Sequence, residues 1–449
     1  MAHNDVRTGL SRRGFLTGAA ALGAGLVTAG CAGTYDVGSG ITGSSGGDNQ
    51  STLVYWNLLS GGDGAHMQAM EAVFAKAHPN IDLQSTILQW GSPYYTKLSL
   101  AIRSGSPPDV AIMHLSRIHQ YGPPGMLTPL SPDLLAQHGL EPSNFTPLAL
   151  RNAHYNGQLL AIPLDTHPFV QYYNTKICKK AGLLDSSGQL PPIKSPSAML
   201  DVLRKLKKTG VTAPVVCDSI NDPATPWRLF YSLYSQGGGQ VLADNGKKIV
   251  LDEALAVKVL SFIHQLATEG LMNADVDPAG GIAAFQAGDA ALYWEGEWNV
   301  TVFQAAKMAF SMQPFPALFG PAAAQADSHT FILPKRQSQD PEKLSLALTM
   351  IRTLLGQSMT WAEGGHIPAW LPVQKSAAYS KLKPQSNYQS VASTAVYDPP
   401  AWYSGSGSDM ENYLGQSIGS LMLGGASPQA TFDSMHGSLH TLSQEEVPV

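Results

Sequence analysis

Apolar and polar positions alternate along the chain in two rhythms. The apolar run TLVYW at 52–56 reads as a strand, and the Gly- and Ser-rich residues 57–64 as a loop. Met67, Met70, Phe74 and Ala77 then recur at helical spacing until the His-Pro-Asn stop at 78–80. A second strand is predicted at 81–88, a helix at 94–103 with Leu98 and Ile102 inward, a turn at 104–108 and a third strand at 109–113. Strands alternating with helices predict βαβ units around a parallel sheet. The alternation resumes with strands at 170–174, 213–217 and 290–294 and a helix at 253–269, where Val259, Phe262, Ile263 and Leu266 share a face. A helix at 341–355 aligns Leu344, Leu348, Ile351 and Leu355 between a capping Asp340 and Gly356. No unit of twenty to fifty residues repeats, which argues against a solenoid.

In open parallel sheets, ligands sit beyond the carboxyl ends of the strands, on loops that a rigid scaffold holds. Asn57 and Asp63 follow the first predicted strand and Trp90 the second. His114, Ser116 and Arg117 follow the third, and Glu295 and Trp298 follow the strand at 290–294. Polar and aromatic residues therefore collect at one end of the sheets, as a ligand site would require.

Composition narrows the ligand. Charged residues are only 14% of the chain, while Trp, Tyr, Asn, Gln and Gly are plentiful, which suits a neutral polar solute. Residues 1–30 carry three arginines and one aspartate, so removing them takes the formal charge from −5 to −7. No basic stripe remains, which argues against nucleic acid.

The N-terminus reads as an export signal. The stretch SRRGFL at 11–16 precedes an apolar, small-residue run that ends at Gly30, and Cys31 follows. Paired arginines point to the twin-arginine route, and VTAGC at 27–31 resembles a lipoprotein signal in which Cys31 is acylated. Residues 31–51, mostly Gly, Ser and Thr, read as a flexible tether. The 419 residues beyond Gly30 are too many for one core, so two lobes are expected. Cys178 and Cys217 could pair after export, although spacing does not decide it. No Cys/His group has metal-ligand spacing along the chain, so no metal or other cofactor is expected.

Taken together, these pieces resemble the extracytoplasmic solute-binding proteins of ATP-binding-cassette sugar importers, the maltose-binding-protein-like group. The resemblance rests on LVYW at 53–56, FAKAHP at 74–79, KLSLAIRSGSPPDV at 97–110 and YNGQLLAIP at 155–163. It continues through YYN at 172–174, AFQAGDAALYW at 284–294 with GEWN at 296–299, GGHIP at 364–368 and PPAWY at 399–403. It implies an α/β, two-lobed periplasmic-binding-protein-like fold with a ligand cleft between the lobes. The crossovers are then expected at 163–167, 309–314 and 355–364. One lobe would comprise 52–164 with 314–356, and the other 165–313 with 357–449.

The resemblance also ranks the candidate residues. Trp298 would be an aromatic platform for a sugar face; the alternative is hinge packing. Trp227, in a loop with Asp222, Trp402 and Trp90 are further ligand aromatics, whereas Trp56 reads as core. Asp165 and His167 would contact sugar hydroxyls or merely stiffen the crossover. His114, Ser116, Asn57 and Asp63 are cleft candidates, and Asp109 is a structural cap. Glu295 would accept a hydroxyl. The pair Glu295 and Glu297 has the residue types of a glycoside hydrolase, but the resemblance is to proteins without catalysis. Tyr172 and Tyr173 are neighbours on a strand and point to opposite faces, against a dityrosine iron site.

The implied function is a sugar-binding receptor, expected as a monomer, lipid-anchored on the outer face of the cytoplasmic membrane and partnered with permease subunits. The alternatives are a receptor of the same fold for a polyamine, a glycerophosphodiester or iron, and a secreted carbohydrate-active enzyme.

Overall fold

The computed structural model describes residues 51–446. The proposed signal segment, Cys31 and nearly all of the tether lie outside the described residues. Ser51–Asn57 turns Leu53 and Tyr55 to one face, and both are fully buried. It pairs in parallel with Ile81–Ile87 on one side and Val110–His114 on the other. His329–Ile332 adds antiparallel to Val110–His114, and Ile162–Pro163 closes this five-stranded sheet. The helices Gly61–Ala77 and Pro341–Gly356 pack their apolar stripes here, with Met67, Met70, Phe74, Leu348 and Ile351 at most 1% exposed. Asp109 ties the start of Val110–His114 to the neighbouring strand: its carboxylate accepts the Val54 amide at 2.8 Å and pairs with Arg336 at 2.8 Å. Trp56 is half-buried against this core.

The second sheet is built around Asp165–Asn174, ten residues long and buried almost throughout. One side takes Ala290–Gly296 and Ile367–Pro368; the other takes Phe310–Pro314 and then Ala324–Asp327. A strand this long needs two short partners in tandem on each side. That requirement corrects one expectation: Phe310–Pro314 does not leave the lobe, and the chain crosses back only after Asp327, at Ser328. Residues 315–327 thus belong with the second sheet. The other crossings lie at Leu164, between Ile162–Pro163 and Asp165–Asn174, and between Trp361 and Ile367.

Two further elements differ from the expected ones. The first helix begins at Gly61, which places Asp63 in its first turn rather than in a loop. Ala224–Gln236 is a helix, not a loop; Pro226 is tolerated because the first turn has no intrahelical donor to lose. Cys178 and Cys217 are both free and buried.

Candidate functional site

Between the two sheets lies a cavity of about 380 Å³. The first lobe contributes Leu58 to Ser60, Asp63, Trp90, His114 and His329. The second contributes His167, Asn221, Asp222, Arg228 and Trp298. Of the residues expected from sequence, Asp63, Trp90, His114, His167, Asp222 and Trp298 line this cavity.

Trp298 owes its position to Gly296. Gly296 has φ −68° and ψ 163°, extended backbone that any residue adopts, so a special dihedral is not the reason for glycine. A β-carbon there would collide with the Trp298 ring, so the absent side chain is the reason. The indole is half-buried, and the Arg228 guanidinium lies 5.0 Å from its ring centre. Arg228 is held by Glu295 at 3.6 Å. Burial disfavours its charge, but Glu411 and Glu295 outweigh this and keep it cationic. On the facing lobe Trp90 is 42% exposed, its ring 6.4 Å from His114.

Five expected residues stand behind the cavity rather than in it. Asp165 is wholly buried and saturated with donors: His167 Nδ1 at 3.1 Å, His329 Nδ1 at 2.8 Å, the His329 amide at 2.8 Å and Trp361 Nε1 at 2.7 Å. Burial alone would raise its pKa, but His329 and His167 hold the carboxyl well below its usual range. Glu295 accepts the Thr225 hydroxyl at 2.6 Å and is enclosed. Asn57 shapes its own loop by accepting the Leu59 amide at 3.1 Å. Ser116 donates to Asp327 and accepts the Ser406 amide at 3.0 Å, joining the lobes. Trp227 is core: its Nε1 donates to Asp398 at 2.8 Å, and its ring stacks on Tyr231 at 4.8 Å. Trp402 lines a separate cavity of about 500 Å³ with Arg117, Tyr95 and Asp409.

The two carboxylates of the turn diverge. Glu295 serves Arg228 and Thr225, while Glu297 meets His366 Nδ1 at 2.8 Å; both are buried. They do not flank a common open space in the manner of a glycosidase pair. Tyr172 donates to the Gly296 carbonyl and Tyr173 to Gln189, each at 2.8 Å, so the two hydroxyls share no ligand.

Ser60, Asn221, Arg228 and His329 were not singled out from sequence, yet they line the cavity. His329 was hidden by the misplaced crossing. Arg228 was hidden by reading its helix as a loop.

The sequence pattern of the bacterial extracellular solute-binding proteins matches residues 57–356. The chain belongs to that family. Solved structures share the fold of this solute-binding protein at low identity. The GacH receptor of Streptomyces glaucescens, solved unliganded and with acarbose, is 18% identical over 89% of this chain and 100% of that chain, with TM-score 0.73. Maltose-bound MalE3 of T. maritima is 17% identical over 87% and 100%, with TM-score 0.74. UgpB of Mycobacterium tuberculosis, in complex with glycerophosphocholine, is 17% identical over 87% and 98%, with TM-score 0.73. The family is one of binding proteins, in keeping with the divergent carboxylates.

Proposed function

We propose that this chain is the receptor subunit of an ATP-binding-cassette importer and captures a neutral mono- or oligosaccharide in the cleft for delivery to a membrane permease. The observation that carries the reading is the cavity itself. Trp90 and Trp298 offer indole surfaces from opposite lobes, and Asp63, His114, His167 and Asp222 supply polar groups between them. Indoles cover the C–H faces of a sugar, and charged acceptors make strong bonds to its hydroxyls. The acarbose bound by GacH and the maltose bound by MalE3 agree with this class. One observation favours a second reading, a glycerophosphodiester: Arg228 faces the cavity, and UgpB shares the fold. Against it, the Arg228 cation is already paired with the buried Glu295 at 3.6 Å.

A thermal-shift screen decides between them. A ligand at a hundredfold its dissociation constant adds about 2.7 kcal/mol of stability. Maltodextrins and monosaccharides should raise the melting temperature. A response to glycerophosphocholine alone would replace the sugar reading with the second one. The proposed lipid at Cys31 has its own test: Cys31→Ala should move the protein from the membrane fraction to the soluble one and abolish fatty-acid labelling. Labelling that persists in the variant would refute that attachment.

A further inference from the structure

The Gly-Gly-His run at 364–366 lies on the third crossing, between Trp361 in one core and Ile367 in the other. The sugar reading gives its histidine no task. Gly365 has φ 117°, a backbone region that favours glycine, and a β-carbon there would stand 2.5 Å from the Glu297 carbonyl oxygen. The crossing therefore runs directly against the turn that follows Ala290–Gly296. It delivers His366 to a wholly buried position, with the ring stacked on Trp361 at 4.2 Å and 9° between planes.

Both ring nitrogens of His366 face carboxylates. Nε2 is 3.0 Å from Asp63 Oδ1, and Nδ1 is 2.8 Å from Glu297 Oε1 and 3.4 Å from Asp165 Oδ2. An ionised carboxylate only accepts, and a neutral imidazole has one donor and one acceptor. The ring can serve both sides only as an imidazolium, with a donor on each nitrogen. Asp165 is already filled by His167, His329 and Trp361. Glu297 is not: among the described residues His366 is the only group paired with it. A buried carboxylate left without its cation is costly. Burial opposes the charge on His366, but Asp63 and Glu297 outweigh it and hold its pKa well above the ordinary histidine value.

Asp63 differs from the other two acids in facing the cavity. It lies in the first turn of Gly61–Ala77, and its side chain is 20% exposed. His366 takes Oδ1, and among the described residues no other group bonds this carboxylate. Oδ2 keeps its lone pairs for a hydroxyl in the cleft, where a charged acceptor makes a strong bond.

We propose that His366 is a positioning residue for the solute: as an imidazolium on the crossing, it fixes Asp63 of the first lobe against Glu297 of the second and presents Asp63 Oδ2 to a solute hydroxyl. The inference rests on the receptor reading above. Asp63 and His366 stand 303 positions apart, so linear spacing did not join them. The other titratable groups around the ring are His167 and His329, with ring centres 6.2 and 5.5 Å away, His66 and Glu363 beside Asp63, and Tyr172, Tyr379 and Tyr388 around Glu297. Burial lowers the pKa of His66 and raises those of the three phenols, so none of these four changes charge between neutrality and mild alkali.

The test uses the full chain. Without solute, long-range proton–nitrogen NMR at about pH 8, where an ordinary histidine is neutral, should find one ring protonated on both nitrogens, assigned by its loss in His366→Gln. In Asp63→Asn that ring should release its proton at lower pH, which carries the test even if His366→Gln does not fold. Affinity is then measured for the solute with the largest thermal shift among maltodextrins, monosaccharides and glycerophosphocholine. Asp63→Asn should weaken binding about 10–100-fold and His366→Gln about tenfold, with folds checked by circular dichroism. The double variant should bind no more weakly than Asp63→Asn alone, because His366 acts through Asp63; a merely structural role would add its own loss. Wild-type affinity should stay level through neutrality and fall in alkali as the ring loses its proton, and His366→Gln should show no such fall. A neutral His366 in the wild-type spectrum, or additive losses in the double variant, would overturn the proposal and leave the receptor reading intact. Absence of binding by every solute would remove the receptor reading, and this role with it, even with the imidazolium present in the spectrum.

Discussion

Trp298 and Trp227 show how two tryptophans with similar sequence credentials part ways. Trp298 lies over a residue without a side chain and faces the cavity, whereas Trp227 is wholly buried with its nitrogen committed to Asp398. Truncation should therefore read out differently. Trp298→Ala is expected to weaken solute binding about a hundredfold, roughly 2.7 kcal/mol, with the fold intact by circular dichroism. Trp227→Ala should instead destabilise the fold by about 3–5 kcal/mol, measured by denaturant unfolding. Unchanged affinity in Trp298→Ala would make that indole packing rather than platform. Sequence pointed to Trp298 because a polar turn followed an apolar strand. It could not separate Trp227, because burial depends on the helix that carries it and Pro226 disguised that helix.

At the scale of elements, the first βαβ units were legible because each strand and helix is long enough to show its own period. The second sheet was less so. Ile367–Pro368 and Ala395–Val396 are two residues each and carry no periodicity, and they exist because longer strands offer them edges. The strand Ala324–Asp327 is the costly omission, since its last residue pins the crossing. Asp327 accepts the Ser116 amide at 3.1 Å and the Ser328 amide at 2.8 Å. Burial, with Asp398 nearby, lifts its pKa to about 7. The folded state therefore holds a proton between the ordinary aspartate value and about 7 that the unfolded chain releases. Its stabilising contribution is present in acid and is lost as pH rises through that window. Melting temperatures measured from about pH 5 to about pH 8 should fall more steeply in wild type than in Asp327→Asn. Parallel profiles would show that Asp327 is ionised throughout.

For the molecule as a whole, the decisive feature is that the two sheets keep separate apolar cores while the chain passes between them three times. Short crossings beside rigid lobes are the hinge arrangement in which ligand closure occurs by rotation. Several contacts between the lobes are single polar bonds: Ser92 to the Gly407 carbonyl at 3.3 Å, Ser116 to the Ser406 amide at 3.0 Å, and His366 to Asp63 at 3.0 Å. Bonds of this kind are worth about 0.5–1.5 kcal/mol each, more where a charge takes part, so a bound solute that touches both lobes can shift the balance between open and closed. Trp90 and Trp298 are placed for such a double contact, one on each lobe. Small-angle scattering should give a smaller radius of gyration at saturation with the solute found by thermal shift than in its absence. In Trp298→Ala at the same solute concentration the radius should stay near the unliganded value, and should contract only when the concentration is raised by about the hundredfold that the affinity loss requires. A wild-type radius that does not change at saturation would mean that the lobes are already fixed, and that capture depends on the cavity walls without rotation about Leu164, Ser328 and the 361–367 segment.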